Sequence, residues 1–132
     1  MVRILVADDN AAVRHYLRGL LELQNTWQVC GEARTGSEAL ERVKENPPDV
    51  ILLDFQMPDL NGLDVARQIS QLFPKIPILM VTIHLSSQLT EEAQKAGIRG
   101  VCSKSDVGSI VGAVEALLRR QTYFPKTSSH PR

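Results

Sequence analysis

Residues 49–54 read Asp-Val-Ile-Leu-Leu-Asp, four consecutive apolar residues held between two acids. A short apolar run with no polar alternation predicts a strand over Asp49–Leu53 that is covered on both faces. Asp54 follows at the carboxyl end of that strand. It opens a loop through Met57-Pro58 to Gly62.

The same alternation of apolar runs and amphipathic stretches extends in both directions. Upstream, Val2–Ala7 reads as a buried strand interrupted only by Arg3. A helix over Ala11–Leu23 follows, with Val13, Leu17, Leu20 and Leu21 at helical spacing and Asn10 as its N-cap. Trp27–Ala33 is a second strand. Thr35 and Glu38 form a capping box that opens a helix through Ala39, Leu40 and Val43, stopped by Asn46-Pro47-Pro48. Downstream, Gly62–Phe73 is helical, Ile76–Val81 a strand, and a thinly apolar helix carrying Leu89, Ala93 and Ala96 ends at Gly97. Gly100–Ser103 is a short strand, and Ser105 caps a last helix with Ile110, Ala113, Val114, Leu117 and Leu118 inward. Five strands alternating with five helices predict a five-stranded parallel sheet covered on both faces. Right-handed crossovers make it a doubly wound α/β three-layer sandwich. The polar tail Pro125–Arg132 is expected to be disordered.

The 132 residues suit one domain that buries roughly two thirds of its unfolded surface. Fifteen basic residues balance fifteen acidic ones, which gives no global attraction for nucleic acid or an anionic membrane. No apolar run approaches the roughly 20 residues that cross a bilayer, and the acidic start does not read as a signal peptide. A cytoplasmic protein is expected. Cys30 and Cys102 lie in strand-like segments and are read as buried free thiols.

Ligands of an open α/β sheet gather beyond the carboxyl ends of its strands. Asp8 and Asp9 follow the first strand, Asp54 the third, Thr82 the fourth and Lys104 the fifth. Taken singly, each has an ordinary reading: a helix cap, a loop acid, a solvated hydroxyl or amine. Taken together, they fall on one predicted edge. Two carboxylates about 4 Å apart repel by roughly 4 kcal/mol at an effective dielectric of about 20. Three in a cluster therefore need a cation or must take up protons. Oxygen ligands in a partly open site suit Mg²⁺, which orients phosphate oxygens. A carboxylate can then act as nucleophile and form an aspartyl-phosphate, with Lys104 and Thr82 facing the phosphoryl oxygens.

These residues resemble the bacterial two-component response-regulator receiver family, through ILVADDN, DVILLDFQMPDLNG, MVT and the lysine of VCSKSD. The resemblance implies a flavodoxin/CheY-like fold over residues 1–121, with residues 122–132 as a linker or disordered tail. It implies Asp54 as phospho-acceptor, Asp9, Asp54 and the Gln56 main-chain carbonyl as direct Mg²⁺ ligands, and Asp8 acting through a metal-bound water. Thr82 would be the switch hydroxyl and Lys104 the phosphate-binding lysine. Pro58 and Gly62 would shape the loop. A sensor histidine kinase is the implied partner and a homodimer a possible assembly. VCGEARTGSEAL and RRQTYFP resemble more narrowly the NarL/FixJ class, whose LuxR-type output binds DNA. The sequence is accordingly read as a receiver cut from a longer transcription regulator, the alternative being a stand-alone protein.

Two positions depart from the pattern. Val101 stands where many receivers carry the Tyr or Phe that turns inward on switching. Ile83 stands where Ala or Gly is common, and a branched side chain there is expected to narrow the approach to Asp54. Ile83→Ala should then speed phosphorylation by small phosphodonors, and an unchanged rate would remove the idea. His84 and Gln56 occupy positions that tune acyl-phosphate hydrolysis in receivers, although a solvated loop histidine is the default for His84. The mostly polar fourth helix is expected to be loosely held and to move on switching. Two other readings remain open: an Asp-nucleophile phosphatase, against which Gln56 replaces the expected second acid, and a phosphorylation-independent interaction module.

Overall fold

The computed structural model describes residues 1–125. Along them run β1 (Val2–Ala7), α1 (Ala11–Leu21), β2 (Trp27–Ala33), α2 (Gly36–Glu45), β3 (Val50–Asp54), α3 (Gly62–Leu72), β4 (Ile78–Thr82), α4 (Ser87–Lys95), β5 (Gly100–Ser103) and α5 (Val107–Leu118). The strands form one parallel sheet in the order β2-β1-β3-β4-β5, the doubly wound arrangement that the alternation predicts. Every residue of β3 and β4 is buried, because helices cover both faces of the sheet.

Successive side chains along each strand enter opposite layers. Leu5, Ile51, Leu53 and Met80 pack with Ala39, Val43, Val65, Ala66, Ile69, Leu89 and Ala93 beneath α2, α3 and α4. Ile4, Val6, Leu52 and Val81 pack with Leu17, Leu21, Ile110, Val114 and Leu117 beneath α1 and α5. The chain therefore leaves β1 towards one face and β3 towards the other. The two loops diverge, and a crevice opens beyond the carboxyl ends of those neighbouring strands.

Local chemistry sets the helix starts. The Asn10 side chain accepts the Ala12 and Val13 amides at the head of α1. Thr35 Oγ1 accepts the Glu38 amide at 3.0 Å, while the Glu38 carboxylate accepts the Arg34 amide at 2.6 Å. That amide lies one residue before the partner of a strict capping box. Gly97, just past α4, has φ of 92°, a left-handed geometry that glycine adopts without strain.

Several boundaries differ from expectation. Asp54 and Thr82 end their strands rather than following them, and α1 stops at Leu21. Ile76 and Pro77 precede β4; Pro77 has no amide to give, and its carbonyl accepts the Ile51 amide at 3.1 Å. Ser105 does not cap the last helix. Its amide and hydroxyl both turn to Ser103 Oγ, at 3.2 and 2.8 Å, and Asp106 takes the cap position without a side-chain cap bond. Cys30 is half-buried, not buried: it falls where the β1–β2 register shifts, with Sγ 3.5 Å from the Ile4 carbonyl oxygen. Cys102 is buried, and burial pushes its thiol up to about 11.

Part of the segment read as linker docks on the sheet. The Tyr123 amide donates to the Arg99 carbonyl and its carbonyl accepts the Val101 amide, both at 2.9 Å, so it pairs in parallel with Gly100. Phe124 packs against the core layer that contains Val101. The open edge of β5 is thereby partly covered. The tail expected to be disordered, Pro125–Arg132, lies outside the described residues except for Pro125. Among the described residues, no helix is long and apolar enough to cross a membrane.

Candidate functional site

The crevice between the loops after β1 and β3 holds the acids. Asp8 is 2% exposed and Asp54 6% exposed, whereas Asp9 lies open to solvent. One carboxylate oxygen from each of the three lies within 4.8 Å of the other two. Lys104, the residue after β5, extends its ammonium into the cluster, with Nζ 2.7 Å from Asp8 Oδ2 and 3.3 Å from Asp54 Oδ1. The Asn10 amide donates to Asp8 Oδ1 at 2.9 Å, and the Gln56 amide reaches Asp54 Oδ1 at 3.4 Å.

Three carboxylates against one ammonium leave a cluster with excess negative charge. Burial pushes the Asp54 carboxyl above its usual range and the charge on Asp8 adds to this, with Lys104 offsetting only part. Burial opposes the charge on Lys104, but its bonds to Asp8 and Asp54 outweigh that and raise its pKa. All-oxygen ligands, unneutralised charge and one exposed member fit a hard divalent cation such as Mg²⁺. The site can thus bind a cation and offer a carboxylate oxygen beside a fixed ammonium.

The predicted residues converge as expected at one edge, with one difference in detail. Thr82 is buried at the end of β4, and the Lys104 amide donates to its main-chain carbonyl at 2.9 Å. Its hydroxyl oxygen accepts the His84 amide at 3.1 Å, inside its own loop, rather than meeting Asp54 or Lys104. His84 and the Gln56 side chain are exposed, and Ile83 is 63% exposed. Val101 is fully within the core.

Gly62 opens α3 against Asp54. Its amide donates to the Phe55 carbonyl at 2.6 Å, and a Cβ there would lie 2.5 Å from the Asp54 carbonyl oxygen and 2.9 Å from Phe55 Cα. Both neighbours are backbone and cannot rotate away. Gly62→Ala is therefore expected to lose about 3 kcal/mol by overpacking, read as a lower urea midpoint with an unchanged slope. A variant as stable as the wild type would mean that the loop after Asp54 shifts freely.

Two site residues were missed in the sequence reading. Asp59, in the loop after Asp54, accepts the Gly36 amide at 2.8 Å, the Ser37 amide at 3.0 Å and the Ser37 hydroxyl at 2.6 Å. The Ser37 hydroxyl and these amides hold its carboxyl well below the usual range. It ties the β3–α3 loop to the start of α2. Arg14 is the second. It is buried on α1 between Asp8 and Glu32, and its position three residues before Leu17 on the inward stripe was the available signal.

Comparison with known proteins gives the class. Residues 4–115 match the family model of the response regulator receiver domain, and the chain belongs to that family. It is 37% identical over 115 residues to the transcriptional regulatory protein LnrK of Bacillus subtilis, covering 86% of this chain and 52% of that one. It is 41% identical over 100 residues to a protein-glutamate methylesterase/protein-glutamine glutaminase of Pyrococcus abyssi, covering 76% and 26%. A two-component response regulator of the LuxR family from Aurantimonas sp. SI85-9A1 superposes with a TM-score of 0.90 at 32% identity, over 93% of this chain and 89% of that one. The chain spans about half or less of the length of these curated relatives.

Proposed function

We propose that this receiver accepts a phosphoryl group on Asp54 from the phosphohistidine of a sensor histidine kinase, in a Mg²⁺-dependent reaction, and changes conformation to control transcription. The observation that carries it is the gathering of Asp8, Asp9 and Asp54 within 4.8 Å, with Lys104 reaching two of them. Asp8, Asp9, Asp54 and the Gln56 main-chain carbonyl would hold the ion. When bound, Mg²⁺ supplies charge neutralisation and a frame for phosphoryl oxygens.

The chain's own groups do the rest. An Asp54 carboxylate oxygen attacks phosphorus in line with the departing imidazole. The phosphorus–nitrogen bond breaks, and the imidazole leaves with the electron pair and takes up a proton. Lys104 stays beside the transferred group and balances its charge. The Thr82 hydroxyl gives up its bond from the His84 amide and donates to a phosphoryl oxygen. That exchange draws the β4–α4 loop towards the site and shifts the population of states.

The donor would approach along the apolar groove between α1 and α5, lined by Val13, Tyr16 and Val107 and ending at Lys104. Similarity to LnrK, a transcriptional regulatory protein, supports transcription as the output. We take residues 1–121 as the receiver and residues 122–132 as a linker or tail. The test is incubation with acetyl phosphate, with and without Mg²⁺, followed by intact-mass analysis. One hydroxylamine-labile phosphoryl adduct that needs Mg²⁺ is expected. Steady release of phosphate from a phosphomonoester, or no adduct at all, would overturn the proposal.

A further inference from the structure

Arg14 occupies a position that packing alone would give to a leucine. It lies on the inward stripe of α1 with Leu17 and Leu21 and is 9% exposed. A guanidinium in such a place is a poor source of stability, since desolvation offsets much of what its ion pairs return. Its bonds point to another use. Nη1 donates to the main-chain carbonyl of Asp8 at 2.7 Å, and Nε donates to Glu32 Oε1 on β2 at 2.9 Å. Arg18 takes the other Glu32 oxygen at 2.9 Å, so Glu32 is held from two sides. The Asp8 amide meanwhile donates to the Ala33 carbonyl at 2.9 Å.

The Asp8 carbonyl belongs to the peptide plane that joins Asp8 to Asp9. Arg14 holds that plane by its carbonyl, and Ala33 holds the plane before it by the Asp8 amide, so the backbone turn at Asp8 and the position of the Asp9 Cα are both set. Asp9 is exposed, so packing does not aim it. From this geometry we infer that Arg14 is a positioning residue for the divalent cation. Clamped by Glu32, it holds the Asp8–Asp9 peptide so that both carboxylates face Asp54. The inference rests on the reading of the acid cluster as a Mg²⁺ site and adds a residue outside the ligand set.

The test is calorimetric titration of the unphosphorylated full chain with Mg²⁺. Three variants are compared with the wild type: Arg14→Met, Arg14→Lys and Arg18→Met. Loss of an outer partner of a metal ligand typically weakens binding 10- to 100-fold. Arg14→Met should therefore raise the Mg²⁺ Kd at least about tenfold, and it should melt somewhat below the wild type because the Asp8 carbonyl loses its donor while Glu32 keeps Arg18. Arg14→Lys can reach only one of the two partners and should fall in between. Arg18→Met removes the neighbouring guanidinium from the same Glu32 but no bond to Asp8, and should leave the Kd near that of the wild type.

Phosphoryl uptake by Arg14→Met should recover at high Mg²⁺, so the half-saturating Mg²⁺ concentration moves and the maximal rate does not. An Arg14→Met protein with the wild-type Kd overturns the inference. If that variant does not fold, an Arg14→Lys protein with the wild-type Kd overturns it equally, as does an equal weakening in Arg18→Met. A wild type that binds no Mg²⁺ overturns instead the reading of the cluster on which the inference rests.

Discussion

Asp54→Asn is expected to take up no phosphoryl group from acetyl phosphate and at the same time to melt at a higher temperature than the wild type. The first half follows from the proposed nucleophile: a neutral amide has no carboxylate oxygen to give, and that proposal assigns Asp8 and Asp9 to the ion and Lys104 to charge balance. The second half follows from electrostatics. Burial and the charge on Asp8 hold the Asp54 pKa above its ordinary value even with Lys104 nearby. A group whose pKa is raised in the folded state contributes its full stability below the unfolded pKa and loses it as pH rises through the folded one. At neutral pH the ionised Asp54 therefore destabilises the metal-free fold. Asparagine removes that penalty at every pH. The gain should be about 1 kcal/mol, or roughly 4 °C in Tm, at pH 7, and should shrink as pH falls towards 4. Mg²⁺ should narrow the gap by stabilising the wild type more than the variant. Melting curves with EDTA and with Mg²⁺ across that pH range check the sign. An Asp54→Asn protein that still carries an equal, hydroxylamine-labile adduct would move the acceptor elsewhere.

The sequence exposed those parts of the fold whose physics is local. The runs at Val50–Leu53 and Ile78–Val81 are uniformly apolar because helices cover both faces of the sheet, and that pattern survives in the letters. Asn10 and Thr35 cap their helices through amides two or three residues away. The convergence of Asp8, Asp9, Asp54 and Lys104 was legible as well, since parallel strands send all their carboxyl ends to one edge. What stayed hidden depends on partners far along the chain. Arg14 is charged, and a pattern reading sends charge to solvent; its burial makes sense only once Glu32 on β2 is seen beside it. Asp59 looks like a loop acid until the start of α2 is placed against it. Cys30 lies at a register shift that depends on how two strands meet, which neither strand encodes alone. At Ser103–Ser105 two local bonds competed. The hydroxyl pair between these serines won over a helix cap at Ser105, and propensity does not rank such alternatives.

Lys104→Gln separates the two tasks of the ammonium, because it should slow phosphoryl uptake and yet tighten Mg²⁺ binding. In the wild type, Nζ neutralises oxygens of Asp8 and Asp54 that a divalent ion also needs. Removing it leaves three carboxylates with no fixed cation among them, so Mg²⁺ meets a more negative cluster and binds more tightly. The transferred phosphoryl group, however, loses its only ammonium partner in that cluster. Loss of one preorganised donor at developing charge costs about 10²–10³ in rate, and uptake should fall by that factor even at saturating Mg²⁺. Stability is expected to follow the same logic. The Lys104 pKa is raised by its two partners despite burial, so its contribution is complete at neutral pH and is lost only as pH climbs past that raised value. Without it, buried Asp8 keeps the Asn10 amide but no cation. Breaking a buried pair costs about 3–5 kcal/mol, and the partial exposure of Lys104 lowers the expected loss to about 2 kcal/mol. Mg²⁺ should restore most of that loss, so the Tm rise on adding Mg²⁺ should be larger for Lys104→Gln than for the wild type. If the variant instead bound Mg²⁺ more weakly, the lysine would be assisting the metal site rather than competing with it, and the charge argument for the cluster would have the wrong sign.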